Sequence, residues 1–332
     1  MKNFINTADL ELKDLELILD KAGKYKSGVE NGKRLNGRSV ALVFFNPSVR
    51  TRTSMEVGIF QLGGQSVVLE PGNSSWALEH RENIVMDTDK AEHIKDFVRV
   101  LERYVSAICV RTFAKLEDWE IERTDPVMKA FTKYASVPVI NLESAMYHPC
   151  QAMADMMTIR EKLGNEKKRV LLTWAWHPKP LPMAVPNSFA LSTVQFGHDL
   201  IISAPAEYEL DENVLTQLNE IRKISGGHIE FTSEPAESFR QVDVVYAKSW
   251  GGKGFYGKAQ SDVEYREQFR QEWIVDRKKM NLTNNALFMH CLPVRRNVIV
   301  TDEVIDSERS VVIDQAENRL HVQKSIMAEL LK

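Results

Sequence analysis

Cysteine is scarce: Cys109, Cys150 and Cys291 are three in 332 residues, far apart and without a C-x-x-C pair. That leaves no material for a disulfide framework or a zinc site. Long apolar runs are lacking too. No stretch approaches the roughly 18 residues of a membrane-spanning helix, so no membrane partner is expected. The opening Met1-Lys2-Asn3-Phe4 leads into polar and acidic residues rather than a signal core, and a cytoplasmic location is expected. Charge of one sign is also missing: 43 Lys+Arg against 46 Asp+Glu give a net charge of −3. Arg295-Arg296 stands without a basic stripe or aromatic platform, which argues against a nucleic-acid partner. No G-x-G-x-x-G follows the first apolar strand, and Gly63-Gly64 closes a helix instead of opening one. This argues against a dinucleotide-binding dehydrogenase.

What the chain does contain is length enough for two domains and a regular alternation of patterns. Leu10, Leu12, Leu15, Leu17 and Leu19 among charges predict a helix over 8–28. Apolar runs predict buried parallel strands over 39–45, 65–69, 107–111 and 137–141, separated by helices over 51–61, 89–104 and 125–135. A helix from 148 to 162 follows, and the charged stretch 160–168 reads as the link between domains. A second series has strands over 169–174, 199–203, 228–232, 242–247, 286–289 and 311–313, then a helix over 315–331. The expectation is an α/β protein of two doubly wound domains, each with a central parallel sheet. Residues 1–150 with 315–332 would form the first domain and 151–314 the second.

Three blocks carry chemistry. In Asn46-Pro47-Ser48-Val49-Arg50-Thr51-Arg52 a strand stops and a helix opens on hydroxyls and arginines. Unpaired N–H groups at the positive end of a helix suit a phosphate, and Arg50 adds a fork for oxyanions. Alone, the same string is more often an ordinary N-capped helix with solvated arginines, since short motifs match often by chance. In His148-Pro149-Cys150-Gln151-Ala152-Met153-Ala154-Asp155, His148 and Gln151 share one face of a helical turn. An imidazole there would polarise a carbonyl, unless it is simply a buried, hydrogen-bonded histidine. The third block is His290-Cys291-Leu292-Pro293-Val294-Arg295-Arg296, in which Pro293 predicts an extended Leu292 with its carbonyl free. Cys291 has no partner base at a recognised spacing and reads as a packing residue. Arg111 closes an apolar strand, the edge where α/β ligands bind, and Arg319 lies near the start of the last helix.

Together and in this order the blocks resemble the aspartate/ornithine carbamoyltransferase family, whose fold is the expected one. The resemblance implies that Ser48, the Val49 backbone, Arg50 and Thr51 hold the phosphate of carbamoyl phosphate, with Trp76 and Arg319 also in its site. Thr51, Arg111 and His148 would surround the carbamoyl oxygen, and Gln151 with the Cys291-Leu292 backbone would orient the NH2. No metal and no cofactor are implied. Val245-Tyr246-Ala247-Lys248-Ser249-Trp250, Thr173-Trp174-Ala175-Trp176-His177-Pro178 and Glu317-Asn318-Arg319 resemble the N-acylornithine branch. Glu143, His177, Lys248 and Arg295 would then meet the acceptor, an N-acylated ornithine. Trp76 would reach a neighbouring subunit's site in a homotrimer. The acetyl branch has a glutamate where this chain has Ala91, with Glu92 next along, and a modified lysine where it has Ile299. N-acetylornithine is the expected acceptor, with N-succinylornithine second and free ornithine third. A catalytically silent homologue would lack the cradle, which is present.

Overall fold

Apolar runs become parallel strands where helices can cover both faces. The computed structural model describes Met1–Lys332 as two compact units. One comprises Met1–Ala114, Thr124–Cys150 and Arg319–Lys332; the other comprises Lys115–Arg123 and Gln151–Asn318.

In the first unit the strands are β1 (Ser39–Phe44), β2 (Gln65–Leu69), the short β3 (Leu78–Glu79) and β4 (Glu92–His93), β5 (Ala107–Arg111) and β6 (Val139–Glu143). The main sheet runs β2-β1-β5-β6, all parallel, while β3 pairs with β4. Phe4 closes the outer edge of β6: its N–H donates to Val139 O at 2.9 Å and its carbonyl accepts from Asn141 N at 2.8 Å. The helices are α1 (Leu12–Lys26), α2 (Val49–Gln61) and α3 (Ile94–Leu101). After α4 (Trp119–Glu122), which belongs to the second unit, α5 (Pro126–Tyr134) returns to the first. Val43, Ile108, Val110, Ile94, Val98 and Phe131 form one apolar core.

The chain leaves the first unit at Cys150, inside α6 (Pro149–Leu163). The stretch 160–168 therefore lies within the second unit rather than between the two. There, β7 (Arg169–Trp174), β8 (Asp199–Ser203), β9 (Ile229–Thr232), β10 (Val244–Lys248) and β11 (Leu287–Met289) form a parallel sheet ordered β11-β10-β7-β8-β9. Helices α7 (Ala184–Gln195), α8 (Glu212–Ser225) and α9 (Ala259–Arg266), with the short α10 (Arg277–Met280) and α11 (Asp302–Ile305), complete it before α12 (Val312–Leu330). No helix is long and apolar enough to cross a membrane.

Two predicted elements fail for identifiable reasons. The helix expected over 89–104 begins only at Ile94, because Glu92-His93 pairs with Leu78-Glu79. The His93 ring then caps the helix by accepting from Lys95 N at 3.0 Å. No strand forms over 311–313: one bridge, Ser310 with Phe288, reaches the sheet, the Val311 N–H donating to Phe288 O at 3.0 Å, and α12 opens at Val312. Strand β6 also runs two residues beyond 137–141, which places Glu143 at its carboxyl end.

One buried group in the second unit sets a pH dependence. His198, just after α7, accepts the Lys168 N–H at its Nδ1 (3.2 Å). Burial, with the Lys168 charge behind it, holds its pKa down at about 4. The unfolded chain takes up that proton near pH 6.5. Between those values the unfolded state binds more protons, so this contribution to stability is lost as the pH falls through the window. His198→Gln keeps an acceptor and removes the titration. Its melting temperature is expected to fall less steeply than the wild type's between about pH 6.5 and about pH 4; parallel curves would contradict the assignment.

Candidate active site

In the first sheet the chain moves from β1 to β2 on one side, and from β5 to β6 on the other. The carboxyl ends of β1 and β5 therefore flank a topological switch point, the place where open α/β sheets bind ligands. Past β1, Ser48 takes an extended conformation as the N-cap of α2, its hydroxyl accepting from Thr51 N at 3.3 Å. Val49 is exposed and Arg50 half-buried at the helix's positive end. Arg50 pairs with no carboxylate, whereas Arg52 is held by Glu70 at 3.0 Å and Glu56 at 3.6 Å. Arg52 therefore braces the helix and its fork is already occupied.

Arg111, at the end of β5, lies over the Phe113 ring (4.2 Å) and donates to Glu143 Oε2 at 2.5 Å. Its Nε is buried and makes no hydrogen bond. His148 Nε2 is 3.4 Å from the same Glu143 oxygen. Burial, then the charges of Arg319 and Arg111, hold His148 well below its ordinary pKa, so it works as a neutral imidazole. Thr51 Oγ1 accepts from Arg319 Nη2 at 2.6 Å and, at the limit of a hydrogen bond, from Arg111 Nη1 at 3.5 Å. With both lone pairs facing guanidinium groups, the Thr51 proton is left to donate elsewhere. Gly58 makes this possible. A Cβ there would sit 3.3 Å from Lys324 and 3.4 Å from Leu320, so its absence lets α12 lie close on α2 and deliver Arg319. Guanidinium groups, a helix start and a hydroxyl proton around one point are the donors that could hold an oxyanion.

In the second sheet β7 lies between β8 and β10, so the carboxyl ends of β7 and β10 mark another switch point. Lys248 closes β10. It is 8% exposed, and its ammonium donates to Ser249 O at 3.0 Å and pairs with no carboxylate. Past β7, His177 Nε2 accepts from Arg295 Nε at 3.0 Å, which puts the ring proton on Nδ1, 2.8 Å from Lys179 O. Burial first, with the charges of Arg295 and Lys248 behind it, brings its pKa to about 4. On α6, Gln151 Nε2 donates to Asp155 at 2.7 Å, and Gln151 Oε1 is buried without a partner. Leu292 corrects an expectation: it is left-handed (φ 52°), not extended. Its N–H turns back to donate to His290 Nδ1 at 2.9 Å, a local bond that outweighs the preference of a residue before proline.

Two family profiles cover most of the chain. That of the aspartate/ornithine carbamoyltransferase carbamoyl-P binding domain matches residues 2–161, and that of the Asp/Orn binding domain matches 183–330. This chain belongs to the aspartate/ornithine carbamoyltransferase family. Among members of that family, it is 46% identical to N-acetylornithine carbamoyltransferase of Xanthomonas campestris pv. campestris, over 100% of this chain and 98% of the relative. It is 36% identical to N-succinylornithine carbamoyltransferase of Bacteroides thetaiotaomicron, over 96% and 95%. A solved structure of acetylornithine transcarbamylase complexed with acetylcitrulline matches at TM-score 0.97 and 46% identity, covering 99% of each chain.

Within this carbamoyltransferase chain, Ser48, Val49, Arg50, Thr51, Arg111, Glu143, His148 and Arg319 gather in the first unit. Gln151, His177, Lys248, Cys291, Leu292 and Arg295 belong to the second. Trp76 joins neither cluster. It is 59% exposed, and its indole N–H donates to Glu92 Oε2 at 2.6 Å. Sequence reasoning passed over Glu79, a buried carboxylate that collects Arg81 (2.9 Å), Lys90 (2.9 Å) and the His80 and Arg81 amides (each 2.8 Å). It thereby ties both ends of the loop between β3 and β4. The signal was an acid beside two basic residues, too common on surfaces to stand out. Ile299, where the acetyl branch was expected to carry a modified lysine, is buried in the apolar core of the second unit.

Proposed function

We propose that this protein transfers the carbamoyl group of carbamoyl phosphate to the side-chain amine of N-acetyl-L-ornithine, releasing N-acetyl-L-citrulline and phosphate in arginine biosynthesis. The observation that carries the reading is the Thr51 hydroxyl held by two guanidinium groups beside neutral His148 at a helix start. The 46% identity to N-acetylornithine carbamoyltransferases over whole lengths supports the acceptor.

In the first unit, Ser48, the Val49 N–H, Arg50 and Arg319 take the phosphate. Thr51, Arg111 and His148 donate to the carbamoyl oxygen, where charge grows as the amine attacks. A neutral imidazole does this without giving up a proton. Glu143, already bound to Arg111, meets the acceptor amine. In the second unit, Gln151 Oε1 and the Cys291-Leu292 carbonyls accept from the carbamoyl NH2. Lys248 takes the α-carboxylate, with His177 and Arg295 beside it. The amine's lone pair forms the new C–N bond, the C–O bond to phosphate breaks, and the amine loses a proton, so no covalent enzyme intermediate is needed. We further propose a cytoplasmic homotrimer in which Trp76 reaches a neighbour's site. Exposed Val85, Ile84 and Met86, on the loop tied by Glu79, support a subunit contact there.

A second reading, N-succinyl-L-ornithine as acceptor, is favoured by Ala91 and by the engagement of the Glu92 carboxylate with Trp76. Carbamoylation of N-acetylornithine, N-succinylornithine and ornithine, measured side by side, decides it. The acetyl substrate is expected to give the highest kcat/KM. Preference for succinyl would move the assignment to the second reading, preference for free ornithine would remove the acyl branch, and inactivity on all three would remove the function.

A further inference from the structure

We infer that Asp155 is a positioning residue that orients both groups recognising the carbamoyl NH2, Gln151 and the His290-Cys291-Leu292 turn; this rests on the function proposed above. Asp155 is fully buried on α6, one turn after Gln151. Its Oδ1 accepts from Gln151 Nε2 at 2.7 Å and from Gln315 Nε2 at 2.7 Å. Oδ1 accepts from both, so both carboxamides turn their NH2 groups toward it. For Gln151 the consequence is a buried Oε1 with no partner, an acceptor matched to a ligand N–H. For Gln315 it is an Oε1 turned to receive the His290 N–H at 3.1 Å. His290 Nδ1 in turn receives the Leu292 N–H at 2.9 Å. One run of hydrogen bonds thus leads from Gln151 through Asp155 and Gln315 to the backbone of Leu292, all inside the second unit.

The choice made at Asp155 matters because a carboxamide reads a ligand in opposite senses from its two ends. With Nε2 outward, Gln151 would set N–H against N–H. Asp155→Asn removes the constraint: one NH2 of the network then faces another, and Gln151 is free to turn over. Binding of carbamoyl phosphate and of acetyl phosphate, in which a methyl replaces the NH2, separates positioning from general damage. For Asp155→Asn the Kd of carbamoyl phosphate is expected to rise about tenfold, the worth of one hydrogen bond with a buried partner left unmet. The Kd of acetyl phosphate should be unchanged. An equal loss for both ligands, or no loss for either, overturns the inference. If Asp155→Asn does not fold, Gln315→Met keeps volume, leaves the Gln151–Asp155 bond in place and removes the link from Asp155 to His290, and the same comparison decides. Wild-type protein that binds acetyl phosphate and carbamoyl phosphate equally would overturn it as well. Wild-type protein that binds neither would remove the proposed function, and the inference with it.

Discussion

Arg111→Met is expected to lower kcat for carbamoyl transfer by about 10^3-fold, roughly the effect of deleting a fixed donor from an oxyanion site. Arg111 contributes its Nε, buried without a partner, and holds both Glu143 and the Thr51 hydroxyl in place. The variant should also be less stable, because Glu143 keeps its burial and loses its partner. Breaking a buried pair from one side costs about 3–5 kcal/mol. The two effects separate in the double variant Arg111→Met/Glu143→Gln, which removes both charges. Thermal melts of the double variant should recover most of the lost stability, while steady-state assays stay near the level of the single variant. Recovery of activity along with stability would mean that Arg111 acts by holding the fold, and its place at the carbamoyl oxygen would be lost.

Lys248→Met should behave in the opposite way. Its ammonium is buried with one carbonyl for company and no counter-ion. Fully desolvated charges left in that state destabilise a fold, so replacing Lys248 with an apolar chain of similar length should leave the melting temperature unchanged or raise it. The loss appears in binding. Removing one side of a buried charge pair costs about 2–5 kcal/mol, which places the KM for the acceptor at least about 30-fold higher. The KM for carbamoyl phosphate should not move. A rise in both, or a fall in melting temperature with normal acceptor affinity, would show that Lys248 is structural.

Strands β1, β5, β7 and β8 are buried on both faces and so appear as unbroken apolar runs, and they lie where those runs fall. Residues 311–313 carry the same β-branched signature, yet Val311 leads into a helix that opens at Val312, its carbonyl taking the local Gln315 N–H at 2.9 Å. The cradle was visible because Ser48, Arg50 and Thr51 are neighbours in sequence and share one helix turn. The contact that completes it was not: Arg319 reaches Thr51 across 268 positions. Gln315 likewise meets Asp155 across 160. Leu292 was misread because a neighbour's ring nitrogen captured its N–H, a side-chain event that the dipeptide rule does not contain.

The completion of the first unit by Arg319–Lys332 bears on how the protein is made. A ribosome emits residues in order, and domains usually fold as they emerge. Here the start of α2 stays without its Arg319 contact until residue 319 has been synthesised. A nascent chain that has not reached residue 319 displays Ser48, Arg50 and Thr51 yet lacks the arginine that holds the Thr51 hydroxyl. The order of synthesis thereby sets when the Thr51 hydroxyl acquires its partner.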